Sequence, residues 1–216
     1  MMQKDTVTKI LDVAEELFSE RGFAETSLRN ITTRAGVNLA AVNYHFGSKK
    51  ELIQAVFARY LTPFCEQLNI ELDILFDAAE QETPNLADLL KLLSHTALKA
   101  AHGKPKLLAI FMKLLGLAYT QGQGHLRRFL KREYGAVFGR FMEHITKASP
   151  DLSAEERFWR IHFMLGATAF TLSGSDALTA MAQHDFGKGI DFVQVLDKLI
   201  PFLAAGFNAP QTSFAF

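Results

Sequence analysis

A single cysteine, Cys65, stands in 216 residues. No internal disulfide framework is available to such a chain, which fits a reducing compartment. An excess of charge of either sign is lacking too. Lys and Arg number 23 and Asp and Glu 23, so wholesale basicity gives no nucleic-acid signal and any such footprint has to be a local patch. No stretch approaches the roughly 18–20 uninterrupted apolar residues of a membrane span. The first residues, MMQKDTVTK, lack the apolar core of a signal peptide. A cytoplasmic address with no membrane partner is expected. Two-residue alternation and hairpin dipeptides between β-branched runs are missing, as are internal repeats and low-complexity tracts.

What the chain has is apolar spacing at helical period, within a 49% hydrophobic and 21% charged composition suited to an ordered globule. Val7, Ile10, Leu11, Ala14, Leu17 and Phe18 give one buried face to a helix over 5–21, with Asp12, Glu15, Glu16 and Glu20 opposite. Gly22 then supplies a left-handed C-terminal residue and Phe23 its apolar contact. Ser27 caps a helix over 28–35, and Gly36 ends it where φ > 0 is required. Asn38 caps a short helix over 39–46.

Ser48 with Glu51 predicts a capping box for a long helix, which Pro63 should kink or divide. Polar residues 80–85 predict a surface loop. Helices are expected over 86–101, 106–119, 125–147, 153–172 and 191–207, with a weaker one at 177–182. The 106–119 helix is apolar on nearly all sides and is expected to be buried on nearly all sides. The fold class is therefore all-α, with nine or ten helices. A helix-turn-helix head of three helices over residues 1–50 precedes a larger helical bundle over 51–216, and the 48–61 helix connects them.

The stretch TSLRNITTRAGVNLAAVNYHFGSKK, residues 26–50, carries Arg29, Arg34, Lys49 and Lys50 and no acid. Two short helices joined at Gly36, with such an acid-free basic edge, are what docking on phosphates and reading a major groove require. This run, extended through Glu51, Leu52 and Ile53, resembles the DNA-binding head of the TetR family of bacterial repressors. It departs from the family pattern at Thr32 and at Asn43. A narrower resemblance joins AETSLRNITTRAGVNLAAVNYHFGSKKELIQAVF to FMKLLGLAYTQGQGHLRRFL and FWRIHFMLGA. These segments are similar to PsrA-type regulators, a subgroup that controls fatty-acid degradation genes and is relieved by long-chain fatty acids.

The resemblance implies a homodimeric repressor on a palindromic double-stranded operator, with Thr26, Ser27, Arg29, Asn38, Leu39, Ala40, Ala41, Asn43, Tyr44, His45 and Lys49 at the DNA. The residue chemistry agrees. Hydroxyls at a helix N-terminus suit a phosphate, as do the Tyr44 phenol and the Lys49 ammonium. Asn43 matches adenine N6/N7, and Leu39, Ala40 and Ala41 match thymine methyls. Packing is the competing reading for Tyr44 and His45, and solvated charge for Arg29 and Arg34.

In the body, Phe111, Met112, Leu115, Phe138, Phe163, Met164 and Phe170 are candidates to line an apolar cavity for a long-chain fatty acid or acyl-coenzyme A. Arg127, within a basic cluster of His125, Arg128, Lys131 and Arg132, is a candidate anchor for its acidic end, against the reading of a solvated helix face. Gly166, Ala167 and Ala169 would let the helices over 153–172 and 191–207 pack closely as a four-helix dimer interface. A regulator of an efflux or stress operon sensing another hydrophobic molecule is the alternative. An acyl-binding enzyme or carrier is a second; its activity would survive Asn43→Ala and Lys49→Ala. His95 and His102 share a spacing of seven, but no third metal ligand follows. There is no nucleophile elbow, phosphate-cradling loop or zincin motif. No cofactor, metal or enzymatic activity is expected.

Overall fold

The structure is a computed structural model that describes residues 2–78 and 84–211. Of the surface loop expected over 80–85, residues 80–83 lie outside the described residues. The described chain forms ten helices and no strand. They are α1 (Met2–Glu25), α2 (Leu28–Ala35), α3 (Leu39–Phe46), α4 (Lys49–Ala78) and α5 (Leu86–Ala100). α6 (Pro105–Thr120), α7 (Gly124–Lys147), α8 (Ala154–Ser173), α9 (Ser175–Phe186) and α10 (Phe192–Phe207) follow. No described helix is long and apolar enough to cross a membrane.

α1, α2 and α3 close around Ile10, Ala14, Leu17, Phe18, Phe23, Ile31 and Val42, all buried. α4 begins beneath this head and runs into the body, where it packs against α5 and α7. α6 lies along α8 and touches α1, while α10 packs on α5 and α8. The core passes from head to body without a gap. Ring centroids link Phe18 to Phe23 (5.3 Å), Phe23 to Phe57 (6.3 Å), Phe57 to Phe111 (5.8 Å) and Phe111 to Tyr60 (4.2 Å, stacked). Tyr60 then stacks with Phe64, which reaches Phe138 at 6.2 Å.

Three elements differ from the sequence expectation. Of the kink or division expected at Pro63, the division does not occur, and α4 runs through it. The helix is gripped on both sides of the proline, by buried Leu61, Phe64, Cys65 and Leu68 and by the Thr62 hydroxyl, 2.9 Å from that of Tyr134 on α7. Packing outweighs the lost backbone bond. α6 is buried only along Leu108, Phe111 and Leu114, with Leu107, Ile110, Met112 and Leu115 half-covered and Tyr119 exposed. An apolar helix needs cover, and a single chain covers one side of this one. α9 is also longer than the segment expected over 177–182.

Phe57 is fully buried where head, α4 and α6 meet. Truncating a buried Phe to Ala costs about 3–5 kcal/mol, so Phe57→Ala is expected to lose about that much on denaturant unfolding. A loss below ~1 kcal/mol would show that the junction is not packed as described.

The stability should also depend on pH. His144, buried on α7, has its pKa lowered, by burial first and then by nearby Lys147. His125 is shifted the same way by burial, Lys50 and Arg128. A histidine whose folded pKa lies below its unfolded value adds stability that is complete above the unfolded value, near 6.5, and is lost as pH falls toward the folded one. Glu15, raised chiefly by burial, has the opposite sign, but its window lies near the carboxylate range. Denaturation midpoints should therefore fall between about pH 7.5 and about pH 5.5, and His144→Gln should flatten that slope.

Candidate nucleic-acid interface

Local rules build the head's turn. The Ser27 hydroxyl accepts from Asn30 N at 3.1 Å to start α2, and Gly36 closes it at φ 66°, ψ 33°, the left-handed conformation for which glycine was required. The Asn38 carboxamide oxygen accepts from Ala41 N at 2.7 Å and opens α3. Val42 is fully buried, and Phe46 packs against the same core.

That burial turns the other side of α3 outward. Leu39, Ala40, Asn43 and Tyr44 are all exposed, Tyr44 at 77%. Residues 39 and 43, like 40 and 44, are one helical turn apart, so one face offers an aliphatic side chain, a methyl, a carboxamide and a phenol. Ala41 and His45 are half-covered, and the His45 ring meets Tyr44 edge-on at 5.0 Å. The face holds groups able to address base edges and thymine methyls without moving the core.

Around it the charges are sorted. Arg34 is drawn back to Glu16, and to Glu20 at 3.6 Å. Arg59 of α4 holds Asp12 at 2.5 Å and Glu15 at 3.7 Å. Exposed pairs like these add little stability. Their consequence is that the acidic face of α1 is tied up and Arg34 is taken from the phosphate side. Arg29 is exposed and has no ion pair among the described residues. Lys49 is half-buried, with its Nζ donating to Ala24 O at 3.3 Å; burial lowers its pKa, while Glu25 opposes the shift.

The expected phosphate contact through the Thr26 side chain needs correction. Thr26 is fully buried, and its hydroxyl donates to Gly22 O (2.8 Å) and lies 3.1 Å from Leu17 O. It ties the end of α1 to the start of α2. Ser27, exposed beside it, keeps its O–H proton available at that helix end while its oxygen accepts from Asn30 N.

Gln121, in the turn between α6 and α7, was not singled out in the sequence. Its Oε1 accepts from Phe23 N at 3.0 Å, across 98 residues. Gly22 lies beside it with φ 82°, ψ 171°, a conformation open essentially to glycine, and a Cβ there would meet Gln121 Nε2 at 2.6 Å. The positive φ foreseen for Gly22 is present, but the chain then resumes for one more turn. No local pattern announces a contact of such long sequence separation.

The body residues divide. Phe111 is buried against Phe57 and Tyr60, and Phe138 lies beside Phe64, with Met112, Leu115 and Met164 half-buried around the same core. Phe163 and Phe170 depart from expectation, being 66% and 71% exposed on the outer side of α8. They line no interior cavity of the single chain, because the inner side of α8 is taken by α6 and α10. Arg127 is exposed on the first turn of α7. An open groove of about 580 Å³ is lined by Glu71, Leu92, His95, Thr96, Leu98, Lys99 and Gly103. None of the residues expected to touch an effector borders it. Among the described residues no three His, Cys, Asp or Glu side chains gather as a metal site would need.

Comparison with known proteins gives this arrangement its relatives. Residues 10–56 match the family described as bacterial regulatory proteins, tetR family, and residues 91–206 the tetracyclin repressor-like C-terminal domain. Over 69 residues the chain is 39% identical to the HTH-type transcriptional repressor Rv3405c of Mycobacterium tuberculosis. Over 53 residues it is 42% identical to the HTH-type transcriptional regulator TtgR of Pseudomonas putida. These matches cover 32% and 24% of this chain, and the chain spans only 37% and 25% of the relatives' lengths.

Among solved structures, the fatty acid degradation regulator FadR from Bacillus halodurans has a TM-score of 0.60 at 17% identity, over 95% of this chain and 97% of that one. A mutant of HlyIIR has a TM-score of 0.58 at 19% identity, over 92% and 94%. At such identities the likeness shows the fold alone. With both its head and its body matched, this chain belongs to the TetR family of bacterial regulatory proteins, whose members here are regulators and not enzymes.

Proposed function

We propose that the protein is a homodimeric transcriptional repressor that leaves a palindromic operator when a long-chain fatty acid or acyl-coenzyme A binds its body. Residues 1–50 are the reading head and residues 51–216 the effector-binding and dimerisation body. The exposed face of α3, with Asn43 and Tyr44 held outward by buried Val42, carries the DNA-binding reading. Asn43 addresses a base edge. Ser27, Arg29, Tyr44 and Lys49 hold phosphates, and Asn38, Leu39, Ala40, Ala41 and His45 complete the surface.

One head buries too little to give specific affinity, so two are needed on a two-fold axis. The outward apolar residues Trp159, Phe163 and Phe170 of α8, with Val193 and Phe202 of α10, supply the surface for pairing. Gly166 stands exposed on α8 between the last two aromatic rings and lets a facing helix approach.

The effector class rests on the resemblance of the head and two body segments to the fatty-acid-responsive subgroup. The chemistry of Phe111, Met112, Leu115, Phe138 and Met164 is compatible with an acyl chain. A chain inserted there would part rings that lead through Tyr60 and Phe57 to Phe23 in the head. An effector shifts the head only if it binds the two arrangements unequally, and a close-packed aromatic series is a means of making them unequal.

The test uses a duplex that the protein selects from a random-sequence pool, in a band-shift with oleate or oleoyl-coenzyme A. Release by either supports the reading. A complex that persists with both removes the acyl effector while leaving DNA binding in place.

A further inference from the structure

α7 opens with basic residues. Arg127, Arg128, Lys131 and Arg132 follow its start, beside His125, whose pKa burial lowers, and no acid occupies the first turn. Arg132 is paired with Glu133 at 2.6 Å. Arg127, Arg128 and Lys131 are exposed and have no ion pair among the described residues, and neither has Lys50 at the start of α4. Cations at this end of a helix are repelled by its dipole. α4 and α7 pack together, and the charges of Lys50 and Arg128 both act on His125. His125 Nε2 is shut off from solvent without a hydrogen-bond partner. In a chain of zero net charge, an unneutralised basic patch on two elements has no structural benefit in isolation.

Its position is informative. The α6–α7 turn is fixed to the head by Gln121, whose oxygen accepts from Phe23 N at 3.0 Å. One residue ahead of Lys50, Lys49 reaches Ala24 O, three residues before Ser27. The first turn of α7 therefore adjoins the rim formed by the ends of α1, α2 and α4, where the phosphate-facing groups Ser27 and Lys49 stand. Leu126, buried in the core, fixes α7 at that rim.

We propose that Lys50 and Arg128, with Arg127 and Lys131 beside them, form a second phosphate contact, through which the body grips duplex flanking the site read by α3. The proposal rests on the DNA-binding reading above. It adds that the body touches DNA and does more than position the heads. The contact is to backbone phosphate, so it adds affinity and salt dependence without sequence preference.

The test compares the selected duplex, trimmed to its core, with the same duplex extended by about one helical turn on each side. Binding is measured across a salt series for wild type, Arg128→Ala and Arg128→Lys, each with its thermal midpoint. Wild type should favour the extended duplex. Arg128→Ala should bind that duplex about 3–10-fold more weakly, with a salt slope smaller by about one per protomer. On the trimmed duplex it should match wild type, and Arg128→Lys should restore most of the difference. Equal affinities and slopes for wild type and Arg128→Ala on the extended duplex would overturn the proposal. So would an Arg128→Ala protein that binds both duplexes as wild type does but no longer responds to oleoyl-coenzyme A, since the patch would then hold an effector's anion. Failure of wild type to bind any duplex would reject the DNA-binding reading itself, a result distinct from these.

Discussion

Asn43→Ala should leave a folded protein that has lost its operator. The side chain is exposed on α3 and contributes nothing to the head core, which is built from Ile31, Val42 and the α1 residues on the opposite side. Its removal therefore creates no cavity, and the thermal midpoint should stay within about the scatter of a surface substitution. A bidentate contact to a base edge is worth about 1–3 kcal/mol of discrimination. Two heads lose it together, so affinity for the selected duplex should fall roughly 30-fold to 2 × 10⁴-fold, while non-specific binding changes little. Lys49→Ala should behave differently. It removes the charge proposed to hold a phosphate, which also donates to Ala24 O, so it should weaken binding to every duplex and reduce the salt slope. Competition titrations with selected and random duplexes separate the two effects. Equal losses on both duplexes for Asn43→Ala would remove it from the reading role.

Phe163→Glu combined with Phe170→Glu should convert the proposed dimer to monomers. The two rings lie seven residues apart on the outer side of α8, more than half exposed in the single chain. Burying a Phe side chain yields about 1.5–3 kcal/mol. Four such rings across a two-fold axis therefore supply about 6–12 kcal/mol before the cost of association, a large share of the roughly 8 kcal/mol that a micromolar dimer needs. Four carboxylates in the same interface reverse that contribution and repel one another. Sedimentation should show monomer, and operator binding should disappear even though every residue of the head is unchanged. Because the substituted positions are exposed, the monomer should keep its helical signal. A variant that stays dimeric would move the interface away from this side of α8.

The head was legible because its signals are local. Ser27, Gly36 and Asn38 act within three or four residues of where they stand, and each does what its type and spacing imply. Gln194 completes a capping box with Asp191 at the start of α10, another signal of the same local kind. What spacing could not give is the identity of the neighbour. Arg34 counts as a basic residue near DNA until Glu16 and Glu20 of α1 are seen to hold it. Thr26 stands at a helix start, as a phosphate ligand should, yet its hydroxyl is consumed by two carbonyls. Phe163 and Phe170 have the same hydropathy as Phe111 and Phe138, and only the packing of α6 and α10 on the inner side of α8 shows that they face the other way. Periodicity shows that a helix has an apolar side, but not whether its own chain covers it.

The most direct test of a paired reading head is a selection experiment. The purified protein is offered a random-sequence duplex pool, and the retained sequences are read together with the number of protomers bound per duplex. The account predicts enrichment of an inverted repeat occupied by two protomers, or a multiple of two, with Asn43→Ala enriching nothing comparable. Retention of an asymmetric sequence by a single protomer, or no enrichment at all, would contradict it.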